Sequence, residues 1–236
     1  MSWKISGSEK LDVAGIENVS LLLHGDLVTT STNIVDSSPS PKAMTPLGTT
    51  QISTGGINRA AFGNSSLFFD NSPANAITTP SNAAFAFGTG NFTVEAWIYQ
   101  RTIKQSTCLL EIGLHGTSTG IGFFVSSDGF HAYAGAYAGA RGANPFTLNV
   151  WQHVAFCRSG TTLRMFLNGA LSTSGTLAQN LTTTSNVSIG YPVGQVPLQN
   201  QSAYQFDGYI EELRITKGVA RYESAFTVPT APFPDI

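Results

Sequence analysis

The residues of this chain that could do chemistry are mostly carboxylates, and their spacing is irregular near the C-terminus. Leu213 and Ile215 follow the two-residue period of a β-strand, but Ile210 lies three residues before Leu213. One extra residue at Glu211 and Glu212 would explain this break, which predicts a β-bulge at that point. A carboxylate at a bulge points in a direction that a regular strand would not give it.

Two carboxylates could cleave a glycosidic bond if they lay roughly 5–5.5 Å apart (retaining) or roughly 6.5–9.5 Å apart (inverting). Asp207 and Glu211 would lie about 13 Å apart on a regular strand, which is too far. Adjacent Glu211 and Glu212 point to opposite faces unless the bulge intervenes. A pair from distant segments, such as Glu95 with Glu111, stays open. The alternative is that Glu95 is a hydrogen-bonding residue of the sheet, and we expect a protein that is not an enzyme.

Residues 131–141 predict a different chemistry, because aromatic side chains alternate there with Ala and Gly. Tyr133 and Tyr137 are four residues apart and would share one face of an extended strand. The small residues between them leave both rings accessible, and Arg141 could bind a carboxylate or hydroxyl groups. These side chains suit carbohydrate binding. The alternative is a strand that packs through its two tyrosines.

The histidines and cysteines indicate structural roles. The four histidines are scattered and form no paired metal motif. His153 lies in an apolar strand pattern and is predicted to be a packed sheet residue. Cys108 and Cys157 both fall in predicted strands, so we expect two reduced core cysteines, with a disulfide as the alternative.

Composition favours an all-β protein that neither binds nucleic acid nor inserts into a membrane. Of 236 residues, 42% are hydrophobic but only 11% are charged, against roughly 25% charged in a typical soluble domain. The net charge is −2 and no Lys/Arg cluster occurs, which argues against a nucleic-acid partner. No apolar window is long enough to span a membrane. The N-terminus lacks the apolar core of a signal peptide, which predicts synthesis in a cytoplasm.

The elements that must position these residues are about a dozen short strands joined by Gly-rich turns, without a sustained helical period. Asp128-Gly129 and Asn168-Gly169 are strong hairpin turns. The strand at 150–158 is apolar on both faces, so we expect it in the middle of a sheet covered on each side. We predict an N-terminal arm over residues 1–18 and one domain over residues 19–236.

Seven short motifs follow one another along this domain. They are LLLHGD (21–26), Asp36-Ser37-Ser38-Pro39, FGNSSLFFD (62–70), FTVEAWIY (92–99), WQHVA (151–155), FLNG (166–169) and GYIEELRI (208–215).

This series resembles the laminin G-like branch of the concanavalin A-like lectin/glucanase jelly rolls. The resemblance implies an antiparallel jelly-roll β-sandwich and one structural Ca²⁺, with Glu211 as a ligand and Asp26 and Asp36 as partners. The family more often has Asp where this chain has Glu211. The alternative is that Asp36 caps its own turn and that Glu211 pairs with an arginine such as Arg214.

The ending, GVARY (218–222) and APFP (231–234), is similar to modules on bacteriophage virion proteins. The expected function is therefore a non-catalytic virion surface protein, either a capsid decoration or a tail or fibre component, that contacts host-surface glycans. The arm would dock onto other virion proteins, and the chain would form a homo-oligomer, with a trimer as the expectation for a phage appendage. The alternatives are a free-standing lectin and, third, a glycoside hydrolase of the glucanase type.

Overall fold

The protein is built from two antiparallel β-sheets stacked face to face, which confirms the predicted jelly-roll sandwich. The computed structural model describes residues 16–26, 30–54, 62–63, 65–72, 74–104, 106–127, 129–134, 146–193 and 203–235. The described residues include no helix long and apolar enough to cross a membrane.

Strands are numbered in chain order, and the described chain also has two short 3₁₀ helices, η1 (Ile16–Asn18) and η2 (Ala83–Phe85). The eight-stranded sheet contains β1 (Val19–Leu23), β3 (Gln51–Ser53), β4 (Ser66–Phe69), β6 (Phe92–Gln100), β10 (Trp151–Ser159), β11 (Thr162–Leu167), β12 (Ala170–Thr176) and β14 (Gly208–Lys217). The six-stranded sheet contains β2 (Thr45–Leu47), β5 (Ala76–Thr78), β7 (Cys108–Ile112), β8 (Ile121–Ser126), β9 (Gly129–Tyr133) and β13 (Val187–Ile189).

The main core lies between the two sheets and follows the two-residue period of the strands. On β6, Phe92, Val94 and Ile98 pack into this core, whereas Glu95 and Trp97 point to the other face of the eight-stranded sheet. The alternation predicted for this strand is therefore confirmed. It places the only carboxylate of β6 outside the main core.

The C-terminal segment, residues 218–235, covers the outer face of the eight-stranded sheet. Tyr222 and Phe226 stack with ring centroids 3.5 Å apart and pack near the buried Cys157 on β10. The Phe226 N–H donates to the carbonyl of Gly169 at 3.0 Å. The central strand β10 is thus buried on both sides, as its apolar pattern predicted.

The last strand, β14, carries the predicted bulge. It pairs with β6 along its length, with β4 near its start and with β1 near its end. Glu211 lies opposite Trp97 and Arg214 lies opposite Glu95, so β14 has one extra residue between these two pairs. Glu212 takes that position with a φ of 52°. The bulge turns Glu212 away from the direction of its neighbours.

The tight turns follow their residue types, but three short strands were not predicted. Asn168 and Gly169 both have positive φ, at 50° and 78°, as a two-residue hairpin requires. Strands β2, β3 and β5 have three residues each, too few to show an alternating pattern in the sequence. Cys108 and Cys157 are buried and unbonded. They lie on different sheets, which confirms that both are reduced core residues.

Candidate functional site

Glu95 is the centre of a buried ionic cluster beneath the C-terminal segment. Its Oε1 accepts hydrogen bonds from Nε and Nη2 of Arg214 at 2.9 and 2.7 Å. Its Oε2 accepts from the Tyr222 hydroxyl at 2.8 Å, and Nε2 of His153 lies 3.4 Å away. Glu95 and His153 are fully buried. This confirms Glu95 as a hydrogen-bonding residue of the sheet and His153 as a packed one.

The electrostatics of this cluster keep Glu95 ionised. Burial alone would raise the pKa of Glu95, but the charge of Arg214 and the hydrogen bond with His153 outweigh it and hold the pKa at about 2. A general acid needs a carboxyl pKa that is raised toward neutrality. Glu95 is also 0% exposed, so its environment is that of a structural anion.

The outer face of the six-stranded sheet carries a second cluster, which is partly open. Glu111 on β7 lies opposite Gly122 on β8, which lies opposite Tyr133 on β9. Phe123 and Ala132, their neighbours along the strands, belong to the main core. Glu111, Gly122 and Tyr133 therefore share the face that points away from the core. Glu95 and Glu111, the pair left open by the sequence, lie on different sheets.

Aromatic rings surround Tyr133 on this outer face. Its ring centroid lies 5.3 Å from that of Phe124 and 5.9 Å from that of His115. Its hydroxyl lies 3.0 Å from Nδ1 of His131, within hydrogen-bond distance. Burial lowers the pKa of His131, so this imidazole is neutral at neutral pH. Tyr133 itself is half-buried, and its ring forms part of the surface.

Glu111 orients His115 beside Tyr133. Glu111 is 1% exposed, and its Oε1 lies within hydrogen-bond distance of Nδ1 of His115 while accepting the backbone N–H of the same residue. Gly122 makes room for these rings, because a Cβ there would lie 2.7 Å from Phe124 and 3.0 Å from His115. The His115 ring is consequently fixed through one nitrogen, while 20% of its side chain stays exposed.

The sequence identified only part of this cluster. Tyr133 ends β9 and is half-buried, whereas Tyr137 and Arg141 lie outside the described residues. The sequence indicated Glu111 only as a partner of Glu95, and it gave no site role to His115, Phe124 or His131. The signal that could have placed Phe124 beside His131 was the hairpin turn that the sequence predicts between β8 and β9, because the turn sets the register in which these two residues pair.

Asp36, one of the three predicted calcium ligands, is used by its own loop. Its oxygens accept the N–H groups of Leu22, Ser38 and Lys42 and the hydroxyl of Ser38, at 2.8–3.0 Å. The Nζ of Lys42 lies 3.7 Å away and supplies a positive charge. A calcium ion would have to displace these partners, so Asp36 does not fit a calcium site. The alternative, that Asp36 caps its own turn, is confirmed.

The other two predicted ligands are not brought to Asp36 either. Glu211 is fully buried on β14, whereas Asp26 is exposed at the end of β1. Arg214 binds Glu95, and a pair between Arg214 and Glu211 stays a prediction. In the described ranges, no three His, Cys, Asp or Glu side chains are grouped so that they could hold a metal ion. Calcium binding through Asp26, Asp36 and Glu211 thus remains an untested prediction, and the fit of these residues disfavours it.

A third cluster ties the end of the C-terminal segment to β1 and to the bulge. Nδ1 of His24 lies 2.7 Å from Oε1 of Glu212, and Nε2 lies 3.0 Å from Oδ1 of Asp235. Oε2 of Glu212 accepts the N–H of Phe233 at 2.6 Å. Burial lowers the pKa of His24, but the hydrogen bond and charge of Glu212, followed by the charge of Asp235, outweigh burial and raise it. The imidazole therefore lies between the two carboxylates and links them.

A shallow groove of about 250 Å³ borders this third cluster. Its floor is apolar, with Ile34 and Ile52, and its rim carries Asp26 and Asp235. Burial, followed by the charge of Glu212, raises the pKa of Asp26. The described residues that line this groove include no Phe, Tyr or Trp, so the outer face of the six-stranded sheet, where aromatic rings surround Tyr133, is the candidate site.

Comparison with known proteins identifies the family to which this fold belongs. A profile described as the concanavalin A-like lectin/glucanases superfamily matches residues 70–222. No curated protein sequence matches the chain.

Several solved structures are similar. One is domain 4 of AbnA, a GH43 extracellular arabinanase from Geobacillus stearothermophilus, in complex with arabinotriose; its TM-score is 0.63 at 16% identity, over 86% of this chain and 94% of that domain. Another is the binding domain of Paraclostridial mosquitocidal protein 1, with a TM-score of 0.58 at 14% identity, over 88% of this chain and 50% of the other. A third is the binding domain of botulinum neurotoxin DC in complex with SialylT, with a TM-score of 0.58 at 11% identity, over 86% and 49%. The chain spans about half of each toxin binding domain, and at these identities the likeness shows the fold alone.

Proposed function

Because the chain belongs to the concanavalin A-like lectin/glucanase superfamily, we propose that it is a non-catalytic carbohydrate-binding protein. The observation that carries the proposal is the aromatic cluster on the outer face of the six-stranded sheet. Tyr133 offers a partly exposed ring, His131 orients its hydroxyl, and His115 offers an exposed edge. A sugar needs such an aromatic surface for its C–H groups and fixed polar groups for its hydroxyls.

Two of the similar structures support this reading of the fold. Domain 4 of the arabinanase is a complex with arabinotriose, and the neurotoxin binding domain is a complex with SialylT. The arabinanase domain is matched over 94% of its length, whereas only 49% of the neurotoxin binding domain is matched, so the arabinotriose complex carries more weight. Neither identifies the sugar for this chain, because a fold carries many different sites.

The absence of catalysis is supported by where the carboxylates lie. Glu95 is buried under the C-terminal segment and held ionised by Arg214. Glu111, on the other sheet, is buried and bound to His115. Both carboxylates are thus buried, whereas glycoside hydrolysis needs two carboxyl groups that reach the bond from either side.

The proposal is tested on a glycan array and by calorimetry with the sugars that bind. Tyr133→Ala should abolish binding, and Tyr133→Phe should weaken it, because the ring stays but the hydroxyl is lost. Tyr99→Ala is the matched control, since Tyr99 is also half-buried but lies on the eight-stranded sheet. Absence of sugar binding by the wild type, or equal affinity of Tyr133→Ala, rejects the proposal.

Tyr137 and Arg141 belong to the same proposal, because they follow Tyr133 closely along the chain. We expect Tyr137→Ala and Arg141→Ala to weaken sugar binding while the melting temperature stays that of the wild type. If both variants bind as tightly as the wild type, the site is confined to Tyr133 and its described neighbours.

The finer part of the proposal is a position on the surface of a bacteriophage virion. It is supported by the resemblance of residues 218–222 and 231–234 to virion modules and by the low charge of the chain. Residues 1–18 then dock onto other virion proteins. Deleting residues 1–18 should prevent incorporation into particles and leave sugar binding intact. Normal incorporation of the truncated chain rejects the docking role.

A further inference from the structure

Strand β12 forms an open edge of the eight-stranded sheet. It has seven residues, it pairs with β11 on one side, and no described strand pairs with its other side. Among its residues, Ser174 and Thr176 are exposed and Leu171 is 48% exposed. An edge of this kind presents free backbone N–H and C=O groups that can accept another strand.

The backbone groups that face outward can be assigned from the register. The N–H of Leu177 donates to the carbonyl of Thr161 at 2.8 Å, and Thr176 lies opposite Thr162 in the same ladder. Hydrogen-bonded and non-hydrogen-bonded pairs alternate in an antiparallel ladder. Thr176 and Ser174 therefore direct their N–H and C=O groups away from β11, toward the open edge.

The other described edges are less open. Strand β3 has three residues, and Ile52 at its centre bridges to Ser31. Strand β2 also has three residues, and Pro46 lacks the N–H that a ladder needs. Strand β9 is almost entirely buried. A bulge near Ser172 disturbs only the start of β12, where the register shifts between Met165 and Phe166.

Charge would not oppose a second copy at this edge. Residues 165–206 contain no Asp, Glu, Lys, Arg or His, so β12 carries none of the charged residues that usually protect an edge. The nearest charged residue on the neighbouring strand, β11, is Arg164, which lies opposite Ser174 of β12. In an edge-to-edge pair, the two copies of Arg164 would be three strand spacings apart, about 14 Å. That exceeds the screening length of about 8 Å in physiological salt.

We propose that two copies of this chain associate through β12, which pairs antiparallel with β12 of the second copy and joins the two eight-stranded sheets. The strand is complementary to itself, because Thr and Ser on one copy meet Thr and Ser on the other. This interface is isologous and closes as a twofold dimer. It differs from the trimer expected from the resemblance, which would need two different surfaces on each copy.

Sedimentation velocity over a wide concentration range tests the dimer. The wild type should shift from monomer to dimer with concentration. Ser174→Lys should weaken the dimer at least about tenfold, because it places like charges near the twofold axis. Ser81→Lys, at an exposed serine before η2, should dissociate as the wild type does. A wild type that stays monomeric, or a dimer that Ser174→Lys leaves unchanged, overturns the proposal.

Oxidative cross-linking tests the register. If Ser174 pairs with its own copy, Ser174→Cys should form a disulfide-linked dimer. If the axis passes one residue later, Gly175→Cys should do so instead. Ser81→Cys is the control for random collisions. Equal cross-linking by all three variants, or none by Ser174→Cys and Gly175→Cys, contradicts pairing through β12.

Discussion

At Glu95, burial and charge act on the carboxylate in opposite directions. Burial disfavours the anion, while Arg214, His153 and Tyr222 favour it, and the anion prevails. The partners come from two other strands and from the C-terminal segment, which no pattern in the sequence brings together. Sequence reasoning could therefore assign Glu95 to a structural role from its strand, but it could not identify its partners.

We expect Glu95→Gln to destabilise the fold by about 3–5 kcal/mol, because it removes the buried anion that Arg214 binds through two hydrogen bonds. The measurement is the free energy of unfolding in urea. Glu223→Gln is the control, since Glu223 is exposed. A loss of less than about 1 kcal/mol for Glu95→Gln, a typical value for a surface ion pair, would mean that the cluster is not closed to water.

Glu95 also makes the stability of the fold depend on pH in the acid range. Because the pKa of Glu95 in the fold, about 2, lies below its ordinary value of 4.5, its contribution to stability is complete above pH 4.5. That contribution is lost as the pH falls toward 2. The Glu95→Gln variant should lack this part of the acid sensitivity.

His24 makes the stability of the fold depend on pH in the opposite direction. Its pKa in the fold is raised above the ordinary value of 6.5, so its contribution is complete below pH 6.5 and is lost as the pH rises through the raised value. Melting temperatures measured across this range should fall more steeply for the wild type than for His24→Gln. Parallel curves for the two proteins would show that His24 does not carry the effect.

At the scale of elements, the bulge in β14 and the C-terminal segment stabilise each other. The extra residue turns the Glu212 carboxylate toward His24 and the N–H of Phe233. The guanidinium of Arg214, two residues later, lies 3.6 Å from the ring centroid of Phe233. The break in apolar spacing revealed the bulge. That break did not reveal that the C-terminal segment packs against the bulge, because the segment has no regular apolar spacing.

We expect Glu212→Gly to destabilise the protein, although glycine suits the φ of 52° better. The gain in backbone freedom is about 1 kcal/mol, whereas each hydrogen bond to a charged group is worth about 1.5–3 kcal/mol. Ala74→Gly, at a φ of 62°, isolates the backbone gain and should be neutral or stabilising. Urea unfolding compares the two, and a stabilised Glu212→Gly would contradict the role of the carboxylate.

At the scale of the whole molecule, the sequence was sufficient for the architecture but not for the site. Alternation on β6, two-residue turns and double-sided burial of β10 depend on neighbours along the chain, and all three were predicted. The cluster of Glu111, His115 and Tyr133 depends on register across three strands. A one-residue shift in that register moves a side chain to the other face of the sheet. Only the register of the β8–β9 hairpin, which is set by a local turn, could therefore be predicted from the sequence.

Removal of divalent ions tests the remaining calcium prediction for the intact chain. We expect EDTA to leave the melting temperature unchanged, because Asp36 is already satisfied by its own loop. Added CaCl₂ should likewise have no effect, with MgCl₂ as the control for ionic strength. A melting temperature that falls in EDTA and recovers with calcium but not with magnesium would support the calcium site.

The two thiols have a practical consequence for spectroscopy. Cys108 and Cys157 are the only cysteines of the chain, and both are buried. Burial raises the pKa of both thiols, to about 12 for Cys157, and only a thiolate reacts readily with maleimides. The native protein should stay unlabelled by maleimide dyes. A cysteine introduced at any exposed position would then take up a single fluorophore without removal of the native pair.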